Sequence, residues 1–226
     1  MSEAEDIDID IDIDIDMTTE RGLVAEASER LSSLTPGTTG NLSVRNDDYF
    51  CITPTGVRYG EVEAEDVPVM NSDGEKVKGE LEPSSETPMH SDVYEEFGSR
   101  AVLHLHSPAA TTVGVLREEI PAVHYAVGLA GGRVPLAEYA TYGTPELGEN
   151  VVEAMKDEDR DGSKACVIPN HGLVVRGDGV EEVFETAVNV EFTAEVYLRA
   201  KAVGDPVELS DDEIEKVIEK FKGHGQ

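Results

Sequence analysis

The chain has 226 residues with no linker-like stretch dividing it, which suits one domain large enough to bury its own core. Its 48 acidic residues against 18 basic ones leave a formal charge of −30, a surface that repels phosphate backbones and anionic lipid and so excludes nucleic-acid binding and a membrane-surface role. No apolar run approaches the roughly 18 residues of a membrane span, and the acidic N-terminus is unlike a signal peptide, so a cytoplasmic protein is expected.

Hydrophobic residues make up 39 % of the chain and aromatics 5 %, with no Trp, so the core leans on Val, Leu, Ile and Ala. Apolar periodicity combined with so acidic a composition is the pattern of a halophilic protein, folded where molar salt screens the repulsion. Cys51 and Cys166 stand far apart and form no C-x-x-C motif, so both are read as small core residues.

Residues 1–18 are read as an acidic, disordered Ile-Asp tail, and residues 19–226 as a single domain. Five Ile-Asp repeats over Ile7–Asp16 would make a strand with one apolar face, but their run of like charge favours a solvated tail. Residues 1–16 carry eight acids and no base, so without them the charge is −30 + 8 = −22 and the domain itself is acidic. Met17 is a candidate start of the native chain.

Leu23, Ala27, Leu31 and Leu34 recur at helical spacing up to Pro36-Gly37 and predict a first amphipathic helix. Two hairpins follow: Leu42–Arg45 with Tyr49–Ile52 around Asn46-Asp47-Asp48, and Val67–Met70 with Lys76–Lys78 around Asn71–Gly74. A short helix is predicted over Met89–Phe97, a strand over Ala101–His106, a helix from Thr144-Pro145 to about Met155, and a strand over Lys164–Ile168. Val183, Ala187, Val190, Ala194 and Leu198 share one face of a long helix. Ser210-Asp211-Asp212-Glu213 opens a last one as a capping box, with Ile214, Val217, Ile218 and Phe221 on its apolar face. Hairpins bracketed by helices imply an α/β (αβα) fold, a central, mostly antiparallel sheet covered by helices on both faces.

The chemistry centres on His104-Leu105-His106. Two histidines at i and i+2 on a strand point to the same side and can grip one ion. Asn170-His171-Gly172 lies between two predicted strands and sets a third imidazole at a turn where Gly permits unusual backbone angles. Three nitrogens leave a metal position open, the catalytic pattern, and a carboxylate such as Glu86 can fill it at rest. Within Pro83-Ser84-Ser85-Glu86 the plainer reading of Glu86 is an ordinary helix N-cap. The same helix start can hold a phosphate through the Ser84 and Ser85 hydroxyls and backbone amides, with Thr39-Gly40-Asn41 and Thr53-Pro54-Thr55-Gly56 adding donors.

Taken in order, Thr39–Arg45, Ile52–Gly56, Pro83–Glu86, His104–His106, Ile120–Tyr125, Tyr139–Thr144 and Asn170–Leu173 resemble the class II aldolase/adducin family from about Leu23 to Gly225, most closely its fuculose-phosphate aldolase branch. The resemblance implies zinc, with Mn²⁺ or Co²⁺ as other options, held by His104, His106, His171 and Glu86. It makes Glu86 the acid/base, assigns a substrate phosphate to Gly40, Asn41, Thr55, Gly56, Ser84 and Ser85, and makes Tyr125 the proton carrier at the aldehyde oxygen. The implied reaction cleaves a ketose 1-phosphate, L-fuculose 1-phosphate or a related pentulose or deoxypentulose phosphate, to dihydroxyacetone phosphate and an aldehyde. The implied assembly is a homotetramer with sites between neighbouring copies.

Alternatives within the family are a pentulose-5-phosphate 4-epimerase, a methylthioribulose-1-phosphate dehydratase and an adducin-like scaffold; the presence of His104, His106, His171 and Glu86 argues against the scaffold. The chain departs from the fuculose-phosphate branch at its C-terminus, where His224 stands in place of a tyrosine. His90 and His124 are read as structural, His124 with a supporting role beside the site. Asp157–Gly162 resembles half of an EF-hand loop but is read as a solvated turn, and Asn41-Leu42-Ser43 is a glycosylation pattern with no secretion signal to support it.

Overall fold

The computed structural model describes residues 15–156 and 162–224, without the side chain of His224. The Ile-Asp repeats before Ile15, most of the EF-hand look-alike and the question of what His224 does therefore lie outside the described residues. In chain order the elements are α1 (Thr18–Leu31), β1 (Asn41–Asn46), β2 (Tyr49–Ile52), β3 (Val69–Asn71), β4 (Lys76–Lys78), α2 (Thr87–Phe97), β5 (Ala101–Leu105), α3 (Pro108–Leu116), α4 (Pro145–Met155), β6 (Ala165–Ile168), β7 (Gly172–Gly177), α5 (Val180–Lys201) and α6 (Asp211–His224).

The strands form one seven-stranded sheet in the order β4-β3-β2-β1-β5-β7-β6, with every pairing antiparallel. Strand alternation sorts the apolar side chains onto two faces. Ala101, Leu103 and Leu105 of β5, with Leu173 and Val175 of β7, pack against α1, α3 and α5. Val102, Val174, Cys166 and Ile168 point the other way, onto Met89 and Val93 of α2 and Leu147, Val151 and Met155 of α4. Each such side chain stabilises the fold by roughly 1.5–3 kcal/mol relative to exposure. The αβα layering expected from the sequence is the one observed. Both cysteines are free and buried in different clusters, Cys51 under α1 and Cys166 under α4, and burial pushes both thiols up to about 12.

Several local expectations are corrected. The buried stripe of α1 is Val24, Ala27, Ser28 and Leu31, while Leu23 is 42 % exposed, because the sheet lies one position further round the helix. Packing also begins before residue 19: Met17 is buried with Val24, Val44 and Cys51. The first hairpin turns on two residues, Asp47 and Asp48, since Asn46 pairs with Tyr49. Helix α3, with Pro108 in its first turn, is an element the sequence pattern does not predict, because Pro108–Leu116 lacks a charged face to mark a helical period. The α6 capping box forms in part: the Ser210 backbone N–H and hydroxyl both donate to Glu213 Oε2 at 2.8 Å. Among the described residues no helix is long and apolar enough to cross a membrane.

Candidate active site

Three elements converge beside β1. His104 lies in β5 between Asn41 of β1 and Val174 of β7, and its side chain shares the face of Val102, toward α2. His106 sits one residue past the end of β5, where its backbone N–H donates to Thr35 Oγ1 at 3.0 Å. His171 stands in the β6–β7 turn. There the left-handed residue is Asn170, φ +54°, and not Gly172 as the sequence suggests. Glycine at 172 answers a different need: a Cβ there would lie 2.2 Å from the Leu105 carbonyl oxygen and 3.0 Å from the His106 ring. Its absence lets β7 close on the histidine strand.

Glu86 precedes α2 in the N-cap position, yet its carboxylate makes no capping bond. It is 5 % exposed and turned inward: Oε2 accepts from Asn41 Nδ2 at 3.0 Å and lies 3.1 Å from His104 Nε2, and Oε1 lies 3.3 Å from His171 Nε2. His104 and His106 bring their Nε2 atoms to 2.9 Å. The three rings form a propeller, with centroids 4.8–4.9 Å apart and planes crossing at 70–78°.

This arrangement fits a cation. His104 donates its Nδ1 proton to the Leu173 carbonyl at 3.1 Å, which leaves a lone pair on Nε2 facing the glutamate oxygen. Glu86 Oε1 is buried without a hydrogen-bond partner. One ligand atom from each of the four residues lies within 4.8 Å of the others, and the closest pairs approach the separation of about 3.3 Å that tetrahedral zinc with 2.0–2.1 Å bonds requires. Burial first, then neighbouring His106, pushes His104 down to about 3; burial, with His104 next, pushes His171 down to about 4; burial also lowers His106. All three are neutral, ligand-ready imidazoles at pH 7.

The site opens into a cavity of about 350 Å³, and Gly40, Asn41, Thr55, Ser84 and Ser85 line it together with Glu86, His106 and His171. A bridge between Pro54 and Pro83 holds the two hydroxyl-rich turns side by side. The Thr55 and Ser84 amides are taken by the Glu82 and Thr53 carbonyls at 2.9 and 3.2 Å, so the donors these two residues offer an anion are hydroxyls. Gly56, φ +75°, shapes its turn but does not line the cavity. Tyr139 and Tyr142, 57 % and 67 % exposed, also line it. Sequence periodicity assigns neither tyrosine a role; two aromatics three positions apart in a segment without helical or strand period are the signal the sequence carries.

Tyr125 is not brought to the site within this chain. It is 56 % exposed on a 3-10 segment (Tyr125–Ala130), stacked at 6.3 Å on Phe221. His124 caps that segment, accepting the Ala126 N–H at 3.2 Å, and packs edge-on against Phe192 at 5.0 Å. Its role is local, and it touches none of the metal-site residues.

Four convergent ligand atoms could hold a metal ion, and Glu86, His106 and His171 also line an open cavity that a substrate can enter. Residues 24–198 match the class II aldolase and adducin N-terminal domain, and the chain belongs to that family. It is 39 % identical over 208 residues to the 5-deoxy-D-ribulose 1-phosphate aldolase of Bacillus thuringiensis serovar kurstaki (strain HD73), covering 90 % of this chain and 95 % of that one. It is 40 % identical over 195 residues to the L-fuculose phosphate aldolase of Escherichia coli K12, covering 85 % and 88 %. A solved L-fuculose 1-phosphate aldolase structure matches with a TM-score of 0.87 at 38 % identity, over 92 % of this chain and 98 % of that one. Class II aldolases are lyases, and so is this chain.

Proposed function

We propose that this lyase reversibly cleaves a ketose 1-phosphate between C3 and C4, releasing dihydroxyacetone phosphate and an aldehyde, with zinc as the resident ion. The observation that carries the reading is the position of Glu86: its carboxylate touches His104 and His171 while its residue lines the same cavity as the Thr55, Ser84 and Ser85 hydroxyls. A phosphate at those hydroxyls and a ketose carbonyl at the metal-ligand cluster fit one substrate. Names of relatives support L-fuculose 1-phosphate or a 5-deoxypentulose 1-phosphate, both ketoses that end in a methyl group.

His104, His106, His171 and Glu86 would hold the ion, which when bound supplies a Lewis acid for the negative charge that grows at the C2 oxygen as the bond breaks. The chain's own groups do the rest. Thr55, Ser84 and Ser85 bind the phosphate and set the register of the substrate. Glu86 Oε1, buried and without a partner, carries the proton exchanged at C3. Tyr125 carries the proton of the C4 hydroxyl, delivered by a neighbouring copy in a homotetramer. Its exposure, and that of Phe192 and Val188 at 46 % and 48 %, supports a covered surface there. The charge of −30 supports an enzyme that works in molar salt.

The test is a coupled assay for dihydroxyacetone phosphate in molar KCl, with a panel of ketose 1-phosphates and a chelator control. The reading expects chelator-sensitive release, with lactaldehyde from L-fuculose 1-phosphate or acetaldehyde from 5-deoxyribulose 1-phosphate. Epimerised or dehydrated product with no triose phosphate would overturn it.

A further inference from the structure

Two commensurate repeats meet beside the site. Along α2, Glu86, His90 and Tyr94 recur every four residues on one face, a rise of about 6 Å per step. Along β1, Asn41 and Ser43 recur every two residues on one face, a rise of about 6.8 Å. The side chains interleave in the order Glu86, Asn41, His90, Ser43, Tyr94, and none is more than 5 % exposed.

The contacts run without a gap. Tyr94 OH lies 2.6 Å from Ser43 Oγ, Ser43 Oγ 2.6 Å from His90 Nδ1, His90 Nε2 2.5 Å from Asn41 Oδ1, and Asn41 Nδ2 3.0 Å from Glu86 Oε2. Their direction follows from the end at the site. A carboxylate accepts, so Asn41 presents its N–H to Glu86 and its oxygen to His90. That oxygen only accepts, so His90 donates from Nε2. Its bare Nδ1 accepts from Ser43, whose own oxygen accepts from Tyr94. Reversing the chain would aim the Asn41 oxygen at the Glu86 carboxylate.

The geometry points to His90 as a positioning residue: by donating from Nε2 it locks the Asn41 amide with its N–H toward Glu86, and so holds the carboxylate facing His104 and His171. The His90 tautomer is fixed by its partners, because Nε2 faces the Asn41 oxygen, which only accepts, and Nδ1 faces the Ser43 hydroxyl, which donates to it. The His90 ring does not line the cavity, and its two nitrogens bond to Asn41 and Ser43; its backbone N–H donates to the Glu86 carbonyl at 3.3 Å. The inference rests on the reading of Glu86 as ligand and proton carrier.

The test compares His90→Gln with His90→Asn. Glutamine sets an amide N–H near the place of Nε2 and can still donate to Asn41; asparagine, one carbon shorter, reaches Ser43 only. For His90→Asn the expected result is a kcat about 10- to 100-fold lower, a KM within about twofold, and zinc affinity about 10-fold weaker by chelator competition on the folded protein. For His90→Gln both kcat and zinc affinity stay within about threefold of the parent. Equal losses in both variants, or parental kcat and zinc affinity in a folded His90→Asn, would overturn the assignment. If His90→Asn does not fold, Ser43→Ala frees the His90 tautomer instead, and unchanged zinc affinity there would overturn it equally. Full turnover by Glu86→Gln would refute the proton-carrier reading alone, because the zinc-competition arm still reports whether His90 holds the carboxylate.

Discussion

His104 Nε2 and Glu86 Oε2 face each other at 3.1 Å with no proton between them, because His104 spends its proton on the Leu173 carbonyl. Two buried acceptors at that distance repel until a cation joins them. Zinc should therefore stabilise the fold strongly, by about 4 kcal/mol at a free concentration 1,000 times the Kd. For a domain of this size that raises the unfolding midpoint by roughly 10 °C. Thermal unfolding of chelated and zinc-loaded protein in molar KCl checks this; coincident curves would contradict it.

Glu86→Gln keeps the shape and the Asn41 contact but removes the proton carrier, so turnover should fall about 10²- to 10⁴-fold with circular dichroism unchanged. Tyr125→Phe should also lose most activity. If Tyr125 serves a neighbouring copy, refolding the two inactive variants together should restore about a quarter of the native rate, since random mixing builds one site in four from two intact halves. No recovery from a mixed tetramer would place Tyr125 outside the chemistry.

The histidines give the apo-protein an acid sensitivity with a definite sign. His90 and His104 are pushed down to about 3 and His171 to about 4, while the unfolded chain takes up these protons near pH 6.5. The unfolded state thus binds more protons between those values. Stability is fully present above about pH 6.5 and falls as pH drops toward 4, by about 1.4 kcal/mol per pH unit for each histidine in its steep range. Urea unfolding of metal-free protein at pH 5, 6 and 7 should show this slope, and His90→Gln should remove about one proton from it.

Gly172→Ala adds a single carbon that would lie 2.2 Å from the Leu105 carbonyl. The strain should lower stability by about 1–3 kcal/mol and displace His106, weakening zinc binding along with it. Parental zinc affinity in this variant, by chelator competition, would show that β7 does not set the histidine's position.

Much of the site was legible because it obeys local periods. The spacing of His104 and His106 on a predicted strand, and the Ser84-Ser85 turn before a helix, need no long-range information. What required the fold was pairing between elements. Glu86 reads locally as a helix cap, and only α2 packed against β1 turns its carboxylate to His104. Val24 takes the buried place expected of Leu23 because the direction of the sheet decides which side of α1 is covered. His90 could be read as structural, but its role appears when the four-residue step of a helix is laid against the two-residue step of a strand. Tyr125 is the opposite case: nothing within one chain brings it to the cavity.

The central claim is that the histidine and glutamate cluster binds the ion on which C3–C4 cleavage depends. Metal-free protein titrated with zinc, while release of dihydroxyacetone phosphate from L-fuculose 1-phosphate and 5-deoxyribulose 1-phosphate is followed, tests it most directly. The account predicts activity that rises with added zinc and saturates near one ion per chain, and none in His104→Ala. Full activity in rigorously metal-free protein would contradict it.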